Sequence, residues 1–398
     1  MMEQTRIVVL GGGYSGMMAA RRLAHNLRGQ QVQITLVNAA PHFVQRVRLH
    51  QLAAEQKPEA FSLRDALQPH GIRFMQAKVT RIDPQVQALT VQTAAGSQTL
   101  AYDYLIYALG SYVDMSVIPG LREHALSLAT EATAAQLRDQ LPTFAGRGGR
   151  LVICGGGLTG IEAATEFAEA YPGLKVTLLT RDTFGAQLSR KGRDYTRQVF
   201  KRLGIEIRDQ LAIQAITADA IEYEGGSMAY DACLWAGAFT VPPLARESGL
   251  KVNTLGQIIT DDRLRSVTDS HIYAIGDSAD ISAAIGTPIR MACATALPMG
   301  VHVANELADR LKGREHRPYE FMYYFRCISL GRKAGLVQMV DPNDAPKESI
   351  LTGRVGAAFK EMICKYTTWQ VRHPRWTFLP RRPASERTAR ETAVVGVR

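Results

Sequence analysis

Two triplets of glycine carry the first chemistry legible in this sequence. Gly11, Gly13 and Gly16 fall in RIVVLGGGYSG (6–16), and Gly155, Gly157 and Gly160 fall in RLVICGGGLTGIE (150–162), about 144 residues further on. A G-x-G-x-x-G turn between a buried strand and a helix suits the pyrophosphate of a dinucleotide. The first glycine permits the tight turn, the second lets the backbone approach the phosphates, and the third lets the helix pack on the strand. The amides that open the helix then face the negative charge. One copy is a weak signal, because glycine turns before helices have many structural uses; two copies in the same strand–helix–strand setting are much stronger. A third element, HIYAIGDSA (271–279), ends a short buried strand in Gly276-Asp277. Ligands of open α/β sheets bind beyond the carboxyl ends of strands, so Asp277 is placed either to meet one or to cap a helix.

The elements that must position these residues follow from the apolar pattern. Apolar runs at 7–10 and 32–37 flank a helical segment over 17–26. A run at 151–154 and another at 175–179 flank a helical segment over 161–170. YDYLIYALGS (102–111) and YDACLWAG (230–237) each read as a strand ending in a turn of small residues. The fold class is therefore α/β, with two Rossmann-type units. At 398 residues with 46% hydrophobic content, the chain is long enough for two or three domains. No apolar run reaches the roughly 18–20 residues of a membrane span. A strand pattern that starts a few residues after Met1 leaves no room for a signal segment, so the expected location is cytoplasmic. The five cysteines are scattered with no close pair and no metal spacing, which predicts inert packing, no metal site and no disulfide framework. Of the net charge of +10, most belongs to residues 354–398, where ten Lys or Arg face three Glu. No nucleic-acid recognition motif accompanies that basicity.

The order GGGYSG, YDYLIYALGS, GGGLTGIE, YDACLWAG, IYAIGDSA resembles the two-dinucleotide-domain flavoprotein oxidoreductases, and among them type II NADH:quinone oxidoreductases and apoptosis-inducing-factor-like proteins. The resemblance covers residues 5 to 340. It implies a discontinuous FAD domain (1–115 and 250–318), an inserted NAD(P) domain (116–249) and a C-terminal cap (319–398). It implies FAD at Gly11, Gly13, Tyr14, Ser15, Gly16, Asn38, Arg46, Val79, Ala108, Gly110, Gly276, Asp277 and Ala296. It implies NADPH or NADH at Gly155, Gly157, Leu158, Thr159, Gly160, Arg181 and Gly237. The implied reaction is hydride transfer from nicotinamide to flavin, followed by reduction of a small, lipophilic quinone or other aromatic acceptor. A tailoring reductase of a heteroaromatic metabolite and a redox-signalling flavoprotein are the alternatives.

Several residues depart from that family's pattern. The acid that normally closes each unit and accepts the ribose hydroxyls is missing. Asn38 stands in the first unit, able to accept one hydrogen bond and donate another, or simply to turn the chain before Pro41. Thr180-Arg181 stands in the second; Arg181 is either a solvated charge or a partner for a 2′-phosphate, which favours NADPH. The cysteine pairs of disulfide reductases have no counterpart. His42, Arg46, Arg48 and His50 lie in a segment that runs close to the flavin in relatives, and each can also be read as a solvated charge. Glu162 occupies the place of a glutamate near both cofactors, where a raised pKa would suit a proton relay; the plain alternative is a helix-dipole contact. The glutamines that commonly contact quinone are absent from MACATALPMG (291–300).

At the C-terminal end, FRCISLGRKAG (325–335) predicts a strand and turn over the flavin, with Arg332 and Lys333 facing either the site or solvent. Val355, Phe359, Met362, Ile363, Tyr366 and Trp369 recur at helical spacing, with Arg354, Lys360 and Lys365 elsewhere around the helix. Such a basic amphipathic helix docks on a membrane surface or packs against the protein's own core or a dimer partner. Trp376, Phe378, Arg381 and Arg382 extend the aromatic and basic character, and 387–398 reads as disordered.

Overall fold

The computed structural model describes residues 4–377. Its centre is a pair of five-stranded parallel sheets. In the first, the strands run in the spatial order Ile272–Ala274, Tyr104–Tyr107, Thr5–Leu10, Val32–Asn38 and Arg73–Gln76. In the second the order is Leu126–Ser127, Ala232–Trp235, Arg150–Cys154, Lys175–Leu179 and Glu206–Arg208. The chain leaves the first sheet after Tyr107, builds the second, and returns with Ile272–Ala274. Strands such as Thr5–Leu10 are apolar without alternation because helices or loops cover both sheet faces; Ile7, Val9 and Leu10 are fully buried.

Each unit has the same parts. The turn helices span Tyr14–Asn26 and Leu158–Ala170, starting three residues before the apolar pattern alone places them. Each unit also carries a three-stranded antiparallel meander, at Lys78–Asp83, Ala88–Thr93 and Gly96–Ala101 in the first and Ile213–Ile216, Ala220–Tyr223 and Gly226–Ala229 in the second. Val79 lies in the first of these strands, opposite Val91.

The helix Cys293–Leu311 packs along Tyr14–Asn26, and its run of small residues sets the distance. A methyl on Gly300 would lie 2.5 Å from the Ser15 carbonyl oxygen, closer than any real contact. An antiparallel sheet of Phe325–Ser329, Gly335–Val340 and Pro346–Thr352 leads into the helix Gly353–Arg372. Ile328, Leu330, Ala334 and Leu336 join the core of the second unit, while Val371 joins that of the first.

That last helix presents two unlike sides. Its buried side is largely polar, with Cys364, Thr367, Thr368 and Gln370, whereas Val355, Met362, Tyr366 and Trp369 are 39–63% exposed. The stripe therefore divides: Phe359 and Ile363 are half-buried, Phe359 meeting the Phe325 ring at 5.1 Å, and the other four residues face outward. Among the described residues no helix is long and apolar enough to cross a membrane. The expectations for Phe378, Arg381, Arg382 and 387–398 lie outside the described residues.

Candidate functional site

The two glycine turns are built alike. Gly11 has φ +105° and Gly155 φ +132°, values that L side chains rarely adopt. A methyl on Gly16 would sit 1.9 Å from the Gly11 carbonyl oxygen, and one on Gly160 the same distance from that of Gly155. Gly13 and Gly157 differ from these, because a methyl there would meet nothing within 4 Å. Both helices start with no side-chain cap and no acid in the first turn. Each turn thus presents open space beneath unpartnered N–H groups, which is the arrangement a pyrophosphate needs. Leu158 and Thr159 open the second helix, and Gly237 lies across the same turn, its amide 3.2 Å from where a Gly155 methyl would be.

Around the first turn the structure joins residues far apart in sequence. The Ser111 hydroxyl donates to Asp277 Oδ2 at 2.6 Å, and Arg46 Nη1 donates to the Ser111 carbonyl at 2.7 Å. Ser278 donates to the Gly110 carbonyl at 3.1 Å, and Gln257 to that of Asp277 at 2.9 Å. Gly276 packs against Ser15, and its amide points at the Met299 sulfur, 3.1 Å away, one turn along the helix from Ala296. Ala108 closes the other side, its carbonyl oxygen 2.2 Å from where a Gly11 methyl would be. Asn38 is engaged internally: its Oδ1 accepts from the Gly12 amide at 2.8 Å and its Nδ2 donates to the Ala40 carbonyl at 2.8 Å. It holds the glycine turn, leaving less of the amide for a ribose than the sequence pattern implies.

In the second unit Thr180 packs on Gly156, where a methyl would approach its hydroxyl to 2.4 Å. Arg181 projects into solvent, 79% exposed, with only a loose pair to Asp182 at 3.6 Å.

The two turns meet over a buried polar cluster. Glu162 Oε1 lies 2.9 Å from Lys360 Nζ on the C-terminal helix and accepts from the Ser329 amide at 3.0 Å. Lys360 also donates to the Cys327 carbonyl at 3.2 Å. Burial works to raise the Glu162 pKa, but Lys360, His50 and the Ser329 amide outweigh it and the carboxyl ends below its ordinary value. The raised pKa that the sequence predicts for Glu162 is thus corrected by the ammonium of Lys360. For Lys360, burial opposes the charge, yet Glu162 lifts its pKa well above the usual lysine value. Burial pushes His50 down to about 4, so it is neutral near pH 7, and its Nε2 has no hydrogen-bond partner. One helical turn beyond Glu162, Glu166 accepts from Gln56 and lies 3.6 Å from Arg332; burial pushes it up to about 7.

The first unit reaches the same place. Tyr14, the first residue of its turn helix, has a buried, unpartnered hydroxyl whose pKa is raised by burial and by the thiols of Cys293 and Cys364, and lowered by Arg48 and Lys360. Arg48 forms a two-pronged pair with Glu361 at 2.9 and 3.0 Å. Of the four basic residues between positions 42 and 50, Arg48 and His50 lie at the junction, Arg46 turns to Ser111, and His42 is exposed. Arg332 lies 3.4 Å from Glu361, whereas Lys333 is 79% exposed and 3.7 Å from Glu169.

The cysteines are less scattered than their spacing predicts. The Cys154 and Cys233 sulfurs are 3.8 Å apart in the core of the second unit. Cys293, Cys327 and Cys364 all lie near Lys360, with pKa values raised by burial, in the case of Cys293 to about 12. They are neutral thiols at pH 7. Among the described residues no group of His, Cys, Asp and Glu is arranged to hold a metal. Glu166, Lys360 and Tyr14 as a unit were not legible as a site in the sequence. The i, i+4 spacing of Glu162 and Glu166 on a helix rich in alanine is the one signal that could have found the second carboxyl.

Compared with known families, residues 5–306 match the model of the pyridine nucleotide-disulphide oxidoreductases. The chain belongs to that family. It is an oxidoreductase whose cofactors are FAD and a nicotinamide dinucleotide. Similar members include an NADH dehydrogenase-like protein of Mycobacterium tuberculosis, 26% identical over 381 residues, covering 88% of this chain and 94% of that protein. The demethylphylloquinone reductase of Synechocystis is also 26% identical, over 383 residues, covering 92% and 93%. Among solved structures, the sulfide:quinone oxidoreductase of Aquifex aeolicus superposes with a TM-score of 0.80 at 20% identity, covering 93% of this chain and 92% of that one. The two glycine turns and the small-residue helix of this family member fit its cofactors, as the open space at Gly13 and Gly157 requires.

Proposed function

We propose that this family member is an NAD(P)H:quinone oxidoreductase whose acceptor is reduced beside Lys360. The observation that carries this reading is that the Lys360 ammonium pairs with Glu162 of the second turn helix at 2.9 Å, with the buried, unpartnered Tyr14 hydroxyl of the first turn helix in the same charged surroundings. Residues 1–115 and 250–318 hold FAD, 116–249 hold the nicotinamide dinucleotide, and the chain from 319 onward closes the junction. In the first unit the turn amides and the Arg46–Ser111–Asp277 chain bind and orient the cofactor; in the second, residues 155–160 do so. FAD held there would supply the two-electron chemistry that links a reduced nicotinamide to the acceptor.

Reducing a quinone to a quinol takes two electrons and two protons, so a proton donor must stand near the acceptor oxygen. Lys360 keeps its proton at neutral pH and shares it with the ionised Glu162. Neutral His50 and Glu166, with a pKa near 7, offer the next sites for resupply. The names of the quinone-reducing relatives support this reading, and the missing glutamines of 291–300 leave the lysine as the polar contact. Anaerobic reduction with NADPH or NADH, followed by reoxidation with a panel of quinones, heteroaromatic N-oxides and redox proteins, tests it. Reoxidation by quinones at least as fast as turnover supports it; reoxidation by N-oxides or redox proteins alone overturns it.

Arg181 favours NADPH, since its exposed guanidinium is held only by a loose pair to Asp182 and Thr180, not an acid, directly follows the strand. The outward stripe of Val355, Met362, Tyr366 and Trp369, beside Arg354 and Lys365, favours docking on a membrane surface, which suits a lipophilic acceptor. Co-sedimentation with liposomes that falls on Met362→Glu/Trp369→Glu is expected. A concentration-dependent dimer lost in that variant, without liposome binding, assigns the stripe to a second copy.

A further inference from the structure

A second region of the molecule holds charge that neither cofactor uses. A cavity of about 640 Å³ lies between the end of the helix Tyr14–Asn26, the turn at Pro69–Gly71 and the end of the C-terminal helix. Arg21, Arg28, Arg372 and Arg375 line it together with His25, His70 and His373, and among the described residues no Asp or Glu does. The turn helix rises about 20 Å over its length, and this cavity lies at the opposite end from Gly13.

Arg21 is the decisive residue, being nine-tenths buried. Its Nη1 donates to the Val371 carbonyl at 3.1 Å, its Nη2 lies 2.6 Å from His70 Nε2, and its Nε has no partner. A buried guanidinium normally has a carboxylate, because removing charge from water is costly without one. Here its nearest side-chain partner is a histidine, which must be neutral at Nε2 to accept. Burial and the neighbouring arginines, Arg21 first, lower the pKa of His70; burial, Arg375, Arg28 and Arg22 lower that of His25. Among the described residues, Arg372 is the one lining arginine paired with an acid, Glu59 at 2.7 Å, itself 63% exposed.

We propose that this cavity binds a phosphate-bearing anion, which supplies a counter-charge that the described lining residues do not. Several guanidinium groups that line one space can meet phosphate oxygens in pairs. The volume exceeds a single phosphate and accommodates a pyrophosphate or a phosphodiester headgroup. The cavity also borders the outward apolar stripe, since the Trp369 and His373 rings are 4.8 Å apart. A soluble phosphate compound and an anionic phospholipid headgroup share this chemistry, and experiment can separate them.

The test uses the full-length, FAD-loaded protein. One arm titrates pyrophosphate against sodium chloride at matched ionic strength, read by calorimetry and by Tm. The other sediments the protein with phosphatidylcholine vesicles with and without phosphatidylglycerol. Arg28→Gln/Arg375→Gln removes two exposed charges of the cavity, and Lys78→Gln/Lys347→Gln removes the same charge elsewhere. Binding in either arm that drops tenfold or more in the first variant and not in the second supports the site and names its source. Reduction by NAD(P)H is expected to be unchanged in both. No binding by the wild-type protein in either arm, or equal loss in the two variants, overturns the proposal.

Discussion

The first and second glycine turns share a backbone and differ in what stands around it. Gly11 and Gly155, and Gly16 and Gly160, occupy matching positions with matching close contacts. Beyond the turn the units diverge. Asn38 folds back onto Gly12 and stiffens the first turn, whereas Thr180 packs on Gly156 and sends Arg181 outward. The first helix opens with Tyr14 and the second carries Glu162 at its fifth residue, and both come under the charge of Lys360. The glycines set a shared phosphate cradle, and the side chains beside it separate the roles of the units.

Substitutions in the turns break the comparison most severely. Gly16→Val is expected to abolish FAD binding, read as loss of flavin absorbance in the purified protein. Gly160→Val is expected to retain flavin but to lose reduction by NAD(P)H. If both variants lose flavin alike, the separate assignment of the two turns fails.

Lys360→Met comes next, because it strands Glu162 in a buried place. Breaking a buried pair costs about 3–5 kcal/mol, and loss of the proton donor should lower turnover about 100-fold. The pair also sets a pH window. Glu162 has a lowered pKa, so its stabilisation is full above the unfolded value of 4.5 and is lost as pH falls through the folded value. Lys360 has a raised pKa, so its stabilisation is full below 10.5 and is lost as pH rises beyond the folded value. Tm of the wild type minus that of Lys360→Met should be largest between these limits; a difference that does not vary with pH contradicts the pairing.

Arg181→Asp should shift the ratio of kcat/KM for NADPH over NADH by about tenfold or more, the worth of one charge-assisted contact. An unchanged ratio makes Arg181 a surface charge. His50 gives a smaller, graded effect. Its folded pKa of about 4 lies below the unfolded 6.5, so the unfolded chain binds the proton first and stability falls as pH drops between these values. His50→Gln should flatten that part of a Tm-against-pH curve. Asn38→Ala loses the hydrogen bonds to the Gly12 amide and the Ala40 carbonyl, about 1 kcal/mol each, read as a several-fold or greater weakening of FAD affinity.

Much of this fold was legible because its signals are local. A glycine triplet, an apolar run before it and a helical pattern after it are all contained in about 30 residues, and both sheets formed where those runs lay. The α/β class, the doubling of the unit and the family's cofactors follow from that local code. The helix starts shifted by a turn because Tyr14 and Leu158, beside the glycines, carry no periodic signal of their own. The polar junction was not legible, because its members come from distant segments: Tyr14, His50, Glu162, Cys293 and Lys360 share no pattern. Glu162 drew notice as a lone acid, but the direction of its pKa depended on an ammonium 198 positions later in the chain. Helical spacing likewise showed that 355–369 is amphipathic without showing which face would be covered. Periodicity defines a stripe; only packing decides that Lys360 and Cys364 turn inward while Met362 and Trp369 meet solvent. The sequence thus determined where the chain can cradle two dinucleotides. The tertiary structure decided what stands between them, because charge, burial and proton affinity are set by neighbours that sequence distance does not reveal.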